Sequence, residues 1–548
     1  MEGIKRQVKP DGLKLTDEQV RRFICDGVIL LDSSLPLEYH QDIFEKMEWS
    51  NRQEFNMGNN VLPRIAELQQ LLDDPVVHGA VQSVLGDDYM LHPHRYMHAN
   101  EPLAEADRSL ELTGFEYQPP VGEGSTANSG WHQDGQCPLG RFRHHVPRIA
   151  MIIYFPQDTP AMRGPTRVIP GTHLHALLFE SDFPFGLVGD HIKAGTCMLT
   201  AFDIAHGALS NRTGSSRYMF KFCYLRTRNP TAPSWDGGEV GWQAPKARLA
   251  QFEHTRAWSY IWDWMRGTPR FAGRTDEVSR DVTEWMGKLN GADQKARLEA
   301  IYELAAIGAD AIGPLKGSLL QYAGLQREIP PVYDPYRRKR DNFRPDDESR
   351  LVRRWNDGAV VPQDEAYAMG AMGEVAVQPL IELLGHDDPW ININAAFALG
   401  EIGEAAACAM PELARLLTHE LPQVARASLD AMAFIGTNTR VALPAIHRLL
   451  TVNNPDWQEP SPRAGWTGEN QARFNAMCAL LNSDIPVEEL DDLLVACLDD
   501  DTGYVHGLAL EALTERRSGE DRPGLRYALE YLKTHRFDHT LANDFRVY

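Results

Sequence analysis

The chain has 548 residues and a formal net charge of −21, with 43% hydrophobic residues and a mean hydropathy of −0.38. This length predicts two to four soluble globular domains, and the acidic charge disfavours nucleic acids and anionic membranes as partners. No apolar run approaches the roughly 20 residues that span a bilayer, and the N-terminus lacks the apolar core of a signal peptide, so a cytoplasmic location is expected. Seven cysteines, odd in number and thinly spread, argue against a disulfide framework.

Helix and strand signals alternate in the first part of the chain. Thr16 or Asp17 is suited to cap a helix in which Val20 and Phe23 form an apolar stripe. Further elements are predicted in chain order: a buried strand at 28–31, a helix at 75–85 closed by Gly86, and a strand buried on both faces at 149–155.

A polar segment between these elements carries the first candidate site residues. His132 and Asp134 are two residues apart, so both side chains point to one face if the segment is extended. Together they would supply two corners of the two-His-one-carboxylate face that holds non-haem Fe(II), and a third ligand must come from elsewhere. The small and polar residues just before them, 122–130, predict either a mobile lid over the substrate or a plain connection.

His206 is the best candidate for the third ligand. The apolar residues 196–202 lead up to it, and a second apolar run, 218–225, follows the turn-forming stretch 211–216. A hairpin folded around this turn is predicted, which would make His206 and Arg217 near cross-strand neighbours. The guanidinium would then lie beside the metal, where its planar fork suits bidentate capture of a carboxylate from an organic-acid cosubstrate.

These four residues stand in the order found in the phytanoyl-CoA dioxygenase family of Fe(II)/2-oxoglutarate oxygenases, which this sequence resembles, with Arg217 eleven positions after His206. Two further stretches support the resemblance. They are Leu15–Gln19 followed by Phe23 and Gly27, and the Gly-Pro to Pro-Gly-Thr-His element at 164–173. The resemblance covers about residues 12–230.

The resemblance implies a double-stranded β-helix, or jelly roll, in which His132, Asp134 and His206 hold Fe(II) and Arg217 binds 2-oxoglutarate. Family members use O2 to decarboxylate 2-oxoglutarate to succinate, and hydroxylation of the substrate is the usual outcome. Related halogenases carry a small residue in place of the carboxylate ligand, so Asp134 disfavours halogenation. One departure is Ala208, where many members carry a hydroxyl near the cosubstrate carboxylate; that hydrogen bond must come from elsewhere, or 2-oxoglutarate binds more weakly.

Other histidines lack such support. His92 and His94, and likewise His144 and His145, are predicted to have structural or substrate-pocket roles rather than to bind metal. Zinc-dependent hydrolysis is disfavoured, because the sequence contains neither His-Glu-x-x-His nor Cys-x-x-Cys.

Beyond about residue 280 the chain becomes helical and repetitive. Pro379, Pro411 and Pro444 are 32 and 33 residues apart, a period typical of a helical solenoid. Each unit is predicted to be a helix closed by glycine, a short turn, and a second helix opened by proline. The segment 395–403 resembles the Ala-x-x-Ala-Leu-Gly-x-Ile-Gly pattern of short HEAT repeats, and this half is interpreted as a scaffold.

Two domains are therefore predicted. Residues 12–270 would form the oxygenase jelly roll with flanking helices, and residues 280–548 an all-α HEAT-like solenoid. Two insertions interrupt the repeats, at about 325–365 and 454–470, and the first is hypothesised to reach back over the catalytic mouth.

The leading functional hypothesis is an Fe(II)/2-oxoglutarate-dependent dioxygenase that uses O2 to hydroxylate a small or medium organic molecule and releases succinate and CO2. A second hypothesis keeps this chemistry but makes the substrate a protein presented by the solenoid, whose concave surface suits extended partners. The third is a non-catalytic binding or sensing protein with a degenerate oxygenase fold. The complete set of metal residues favours catalysis, and no nucleic-acid or membrane partner is expected.

Overall fold

The structure is a computed structural model that describes residues 12–53, 59, 61–108, 132–134, 142–176, 178–179, 191–268, 271, 281–325, 327–328, 343–344, 353–354, 360–459, 467–500 and 502–514. The loop predicted at 122–130 lies outside these residues, as do most of the insertion at 325–365 and residues 460–466 of the second insertion. The N-terminal part is rich in strands and the C-terminal part is helical.

Six helices accompany the N-terminal strands. They are α1 (Asp17–Asp26), α2 (Leu37–Gln53), α3 (Val61–Arg64), α4 (Leu68–Leu72), α5 (Pro75–Leu85) and α6 (Thr255–Met265). The predicted start of α1 is confirmed, because Thr16 and Gln19 form a capping box there. Gly27 ends α1 in the left-handed region with φ 70°, where a residue without Cβ is favoured.

Ten strands belong to the N-terminal part. They are β1 (Val28–Asp32), β2 (Met90–Asn100), β3 (Ile149–Tyr154), β4 (Thr159–Pro160), β5 (Thr166–Ile169), β6 (Leu178–Phe179), β7 (His191–Ile192), β8 (Thr196–Ala201), β9 (Ala205–Ala208) and β10 (Arg217–Leu225). Five of them form an antiparallel sheet in the order β1-β8-β3-β10-β2, while β5 pairs with β9 in a second sheet.

The two sheets face each other across a buried apolar layer, which is the jelly-roll arrangement predicted from the sequence. Met198 of β8 and Met219 of β10 lie in one buried cluster with Val168 of β5. The residues that alternate with them point to the other side of the larger sheet, where Leu199 and Phe220 join the core formed with α5. Functional residues on the inner face of either sheet therefore point into the space between the sheets.

The predicted hairpin of residues 196–202 and 218–225 is wrong. Strand β3 lies between β8 and β10 in the sheet, and His206 belongs to β9, which pairs with β5. Arg217 accordingly pairs with Asn100 of β2 and not with His206. The turn at 211–216 connects β9 of the smaller sheet to β10 of the larger sheet. The length and composition of a turn do not reveal which strands it joins, so a hairpin was predicted here.

The C-terminal part consists of helices in two layers, with three short strands before the fourth helix. The elements are α7 (Val282–Leu289), α8 (Gln294–Ile307), α9 (Ala309–Leu320), β11 (Arg327–Glu328), β12 (Phe343–Arg344), β13 (Arg353–Arg354), α10 (Asp364–Met372), α11 (Val377–Leu384), α12 (Pro389–Ile402), α13 (Met410–Arg415), α14 (Pro422–Ile435), α15 (Leu443–Thr451), α16 (Gly468–Leu481), α17 (Asp491–Ala496) and α18 (Gly503–Thr514). Helices α8, α10, α12, α14, α16 and α18 pack side by side and are called the inner layer below.

The predicted helix-turn-helix chemistry is confirmed for the regular repeats. Gly403 ends α12 and Gly436 ends α14, both with positive φ, while Pro411 and Pro444 lie in the first turn of the following helices. Pro314 differs, because it lies inside α9.

The two parts of the chain are in contact. Helix α6 packs against both α1 and α8, and β12 of the predicted insertion pairs with β6 of the N-terminal part. A division of the chain near residue 270 stays a prediction, because packing continues across it. No helix among the described residues has the length and apolar character needed to cross a bilayer.

Candidate metal centre

Backbone pairing brings the two predicted histidine ligands together. His206 lies in β9, opposite Val168 of β5, and His132 forms an antiparallel bridge with His206. The N–H of each residue donates to the carbonyl oxygen of the other at 2.9 Å. His132 thus extends the smaller sheet by one residue, and Asp134 follows two positions later on the same face.

The three side chains converge on one point. Their donor atoms lie within 4.8 Å of one another, and among the described residues no other group of three or more His, Cys, Asp or Glu side chains does so. His132 Nε2 is 3.9 Å from Asp134 Oδ1, and His206 Nε2 is 3.6 Å from Asp134 Oδ2. Two imidazoles and one carboxylate form the donor set typical of non-haem Fe(II), so the residues present fit this metal.

The protonation states also suit a metal. Burial opposes ionisation of Asp134, but Lys221, His206 and His132 outweigh it and hold the pKa of this carboxyl well below its usual value. Burial lowers the pKa of His206, although Asp134 partly offsets this shift. The Nδ1–H of His206 donates to the carbonyl oxygen of Ile204 at 3.0 Å, since a carbonyl can only accept, and Nε2 is left with a lone pair for a metal.

Gln133 anchors the segment between His132 and Asp134. Its side chain is buried, and Nε2 lies within hydrogen-bond distance of the carbonyl oxygens of Thr172, His175 and Asp203, at 2.9 to 3.0 Å. Strand alternation predicts that Gln133 points away from His132 and Asp134, but only the fold shows that it ties this segment to the neighbouring turns.

Arg217 lies on the inner face of the larger sheet, at the start of β10. Its Nε and Nη2 donate to the carbonyl oxygen of Gly164 at 3.0 and 2.8 Å, and the side chain is buried. Among the described residues no carboxylate forms an ion pair with it, and burial lowers the pKa of the guanidinium. A buried cation without an acidic partner is suited to receive a carboxylate from a bound molecule.

Lys221 also contacts this group of side chains, although it was not among the residues predicted from the sequence. It lies on the same face of β10 as Arg217, four residues on, which is about 13 Å along a strand. Its Nζ donates a hydrogen bond to Asp134 Oδ2, and the side chain is 5% exposed. The sequence contains an indication of this contact, because a lysine in the middle of the apolar run 218–225 requires a buried partner of opposite charge.

The other histidines singled out from the sequence lie elsewhere. His144 and His145 contact Glu401 and Tyr302 of the solenoid, with Nδ1 of each histidine at 2.6 and 2.7 Å from the partner oxygen. His94 contacts Tyr504 in the same way at 2.9 Å. These residues therefore join the two parts of the chain and do not take part in the three-ligand group.

Comparisons with known proteins identify two families along the chain. The model of the phytanoyl-CoA dioxygenase family matches residues 40–219, and the model of HEAT repeats matches residues 377–459. A search of curated protein sequences found no match.

Several solved structures resemble part of the chain at low identity. They include the non-heme alpha ketoglutarate dependent epimerase SnoN from nogalamycin biosynthesis (15% identity, 38% of this chain and 82% of that chain, TM-score 0.29), the non-heme alpha ketoglutarate dependent carbocyclase SnoK from the same biosynthesis (17%, 39% and 85%, 0.29) and CytC3 with Fe(II) and alpha-ketoglutarate (16%, 39% and 79%, 0.26). The family matches carry the assignment: the chain contains a phytanoyl-CoA dioxygenase family domain, followed by HEAT repeats.

Proposed function

We propose that the chain is an Fe(II)/2-oxoglutarate-dependent dioxygenase that hydroxylates a small or medium organic molecule and releases succinate and CO2. The observation that carries this proposal is the convergence of His132, Asp134 and His206 inside a phytanoyl-CoA dioxygenase family domain. When bound there, Fe(II) and 2-oxoglutarate would supply the chemistry by which O2 oxidises the substrate. A cytoplasmic location and domain limits at 12–270 and 280–548 belong to the same proposal.

Each site residue has a role in this proposal. His132, Asp134 and His206 would hold Fe(II) as a two-His-one-carboxylate set, which leaves positions open for the cosubstrate and O2. Arg217 would bind the remote carboxylate of 2-oxoglutarate, since its buried charge lacks an acidic partner among the described residues. Lys221 holds the Asp134 carboxylate from the facing sheet.

The packing of the solenoid supports a small substrate rather than a protein. Every helix of the inner layer contributes a side chain that contacts the N-terminal part. These side chains are Tyr302 of α8, Tyr367 of α10, Glu401 of α12, Phe434 of α14, Phe474 of α16 and Tyr504 of α18, which contact His145, Arg143, His144, Arg148, His92 and His94, respectively. Because one layer of the solenoid is packed against the oxygenase fold, that layer is not open to an extended partner.

The same packing brings the solenoid close to the site. Tyr96 of β2 pairs with Lys221 across the sheet, and the ring of His94 stacks on the ring of Tyr96 with their centroids 6.0 Å apart. Tyr504 of α18 then contacts His94. The solenoid would therefore shape one wall of the substrate pocket.

Anaerobic titration of the full chain with Fe(II) and then 2-oxoglutarate tests the cofactor site. We expect a visible charge-transfer band that requires both additions. In Arg217→Met the band should need about 10- to 100-fold more 2-oxoglutarate, because hydrogen bonds to a charged group contribute roughly 1.5 to 3 kcal/mol. Arg52→Met, which removes an exposed arginine on α2, serves as the matched control.

The outcomes separate the competing functions. Succinate release that exceeds the background of a metal-free sample would favour an enzyme over a binding protein. Iron binding with no band at any 2-oxoglutarate concentration would contradict the proposal. An unchanged half-saturation in Arg217→Met would remove Arg217 from the cosubstrate site but leave the metal centre intact.

A further inference from the structure

Lys221 is a buried cation with more hydrogen-bond donors than partners. An ammonium group carries three N–H donors, and within the part of the chain that the structure describes, Asp134 Oδ2 is the one acceptor that Nζ reaches. Asp134 is also the one carboxylate there that forms an ion pair with Lys221. Buried lysines are rare unless they are paired, so the remaining donors at this position call for an explanation.

The neighbours of Lys221 on the inner face of the larger sheet carry no negative charge. Met219 and Cys223 lie two residues before and after it on β10, Ile153 of β3 pairs with it, and Tyr96 of β2 pairs with it from the other side. Met219 and Ile153 belong to one buried apolar cluster, and Cys223 belongs to another. Surroundings of such low polarity strengthen the attraction between the ammonium group and an anion that reaches it.

The charges of the loaded site would leave Lys221 without a full counter-charge. The two positive charges of Fe(II) equal the two negative charges of 2-oxoglutarate, and histidines that bind a metal are neutral. Asp134 then supplies one negative charge against the positive charges of Lys221 and Arg217. In the proposed function Arg217 binds the remote carboxylate of the cosubstrate, about 13 Å along the strand from Lys221, so the surplus positive charge lies at Lys221.

We propose that Lys221 binds an anionic group of the substrate, and that the substrate is an organic carboxylic acid. The inference rests on the proposed function and deepens it by naming the substrate class. A carboxylate would supply the missing negative charge and accept from the remaining N–H donors, while Asp134 Oδ2 keeps the first. Because Asp134 is a proposed metal ligand, a carboxylate held by Lys221 would also place the substrate beside the metal.

Paired acids and amides test the proposed charge recognition. Butyrate, hexanoate, octanoate and phenylacetate, each beside its primary amide, are titrated anaerobically into the full chain loaded with Fe(II) and saturating 2-oxoglutarate, and binding is measured by calorimetry. In the wild type the acids should bind about 10- to 100-fold more tightly than their amides, the effect of hydrogen bonds to a charged group.

Three variants assign this preference to the ammonium group. Lys221→Met and Lys221→Gln should both lose the preference for acids, although glutamine can still donate to Asp134. Lys221→Arg should retain it, because the positive charge is kept. Lys193→Met, which removes an exposed lysine just before β8, is the matched control and should bind the acids as the wild type does.

The charge-transfer band distinguishes the substrate role from a cosubstrate role. At saturating Fe(II), Lys221→Gln should show the band with the half-saturating 2-oxoglutarate concentration of the wild type. A rise as large as the rise in Arg217→Met would assign the ammonium group to the cosubstrate and overturn the inference. Acids that bind only by displacing 2-oxoglutarate, with loss of the band, would overturn it as well.

The remaining outcomes are equally decisive. The inference is wrong if the wild type binds acids and amides equally, if no acid binds at millimolar concentration, or if both neutral variants keep the preference for acids. A wild type that binds iron but shows no band would instead count against the proposed function.

Discussion

Asp134→Asn is expected to abolish iron-dependent turnover of 2-oxoglutarate, with succinate formation at least 100-fold below the wild type. Mutation of a residue that only orients a metal ligand already lowers metal affinity or activity by about 10- to 100-fold. Asp134 would be a ligand itself, so a larger loss is expected. Asparagine also removes the charge that balances Lys221, whose ammonium group is buried against this carboxylate. The site would then hold a buried cation where it should attract a divalent metal ion.

The measurement combines succinate release with the iron content after anaerobic loading and dialysis. Asp32→Asn is the matched control, because Asp32 is an exposed carboxylate of β1, remote in sequence from the ligand set. The control should retain wild-type iron content and turnover. If Asp134→Asn kept stoichiometric iron and normal succinate release, the assignment of the metal centre would be wrong.

Glu401→Gln is expected to destabilise the whole chain by about 3 to 5 kcal/mol, as measured for the loss of one partner from a buried ion pair. Glu401 Oε1 lies 2.6 Å from His144 Nδ1 and 3.1 Å from Arg148 Nε, and all three side chains are buried between the solenoid and the jelly roll. A neutral amide would leave the Arg148 charge uncompensated in this interface. Because every inner-layer helix contacts the N-terminal part, both parts should unfold in one transition at a lower urea concentration.

The difference in the free energy of unfolding between the wild type and Glu401→Gln depends on pH, because the pKa of Glu401 is shifted in the folded protein. Burial opposes ionisation of Glu401, but His144 and Arg148 outweigh it and lower the pKa of this carboxyl from 4.5 to about 2. A depressed carboxyl pKa contributes stability that is present above pH 4.5 and is lost as the pH falls toward 2. The wild type should therefore lose its advantage over Glu401→Gln on acidification.

The contribution of His144 to the stability of the same interface depends on pH in the opposite direction. Burial lowers the pKa of His144, but Glu401 and Asp430 outweigh it and raise this pKa above its ordinary value. The stabilising contribution of His144 is fully present below its ordinary pKa of 6.5 and is lost as the pH rises through the raised value. Glu404→Gln, an exposed change just beyond α12, should show neither effect. Equal urea midpoints for Glu401→Gln and Glu404→Gln at pH 7 would show that the buried pair does not hold the two parts together.

Features that depend on local chemistry and on the order of residues could be predicted from the amino-acid sequence. The capping box at Thr16, the apolar run of β3 and the glycine ends of α12 and α14 each follow from a few neighbouring residues. Alternation along an extended segment predicted that His132 and Asp134 share a face, and the order of residues in the family pattern added His206, which the fold brings to the same point.

Which strands are neighbours became visible only in the folded chain. Alternation orders the residues of one strand, but pairing between strands depends on contacts distant in sequence, so the apolar runs around residues 211–216 did not reveal that β3 separates β8 from β10. For the same reason Lys221 could not be matched with Asp134 before the arrangement of the strands was known. The contact of the inner helix layer with the jelly roll was also decided there, because buried pairs such as Glu401 and His144 join residues that are 257 positions apart.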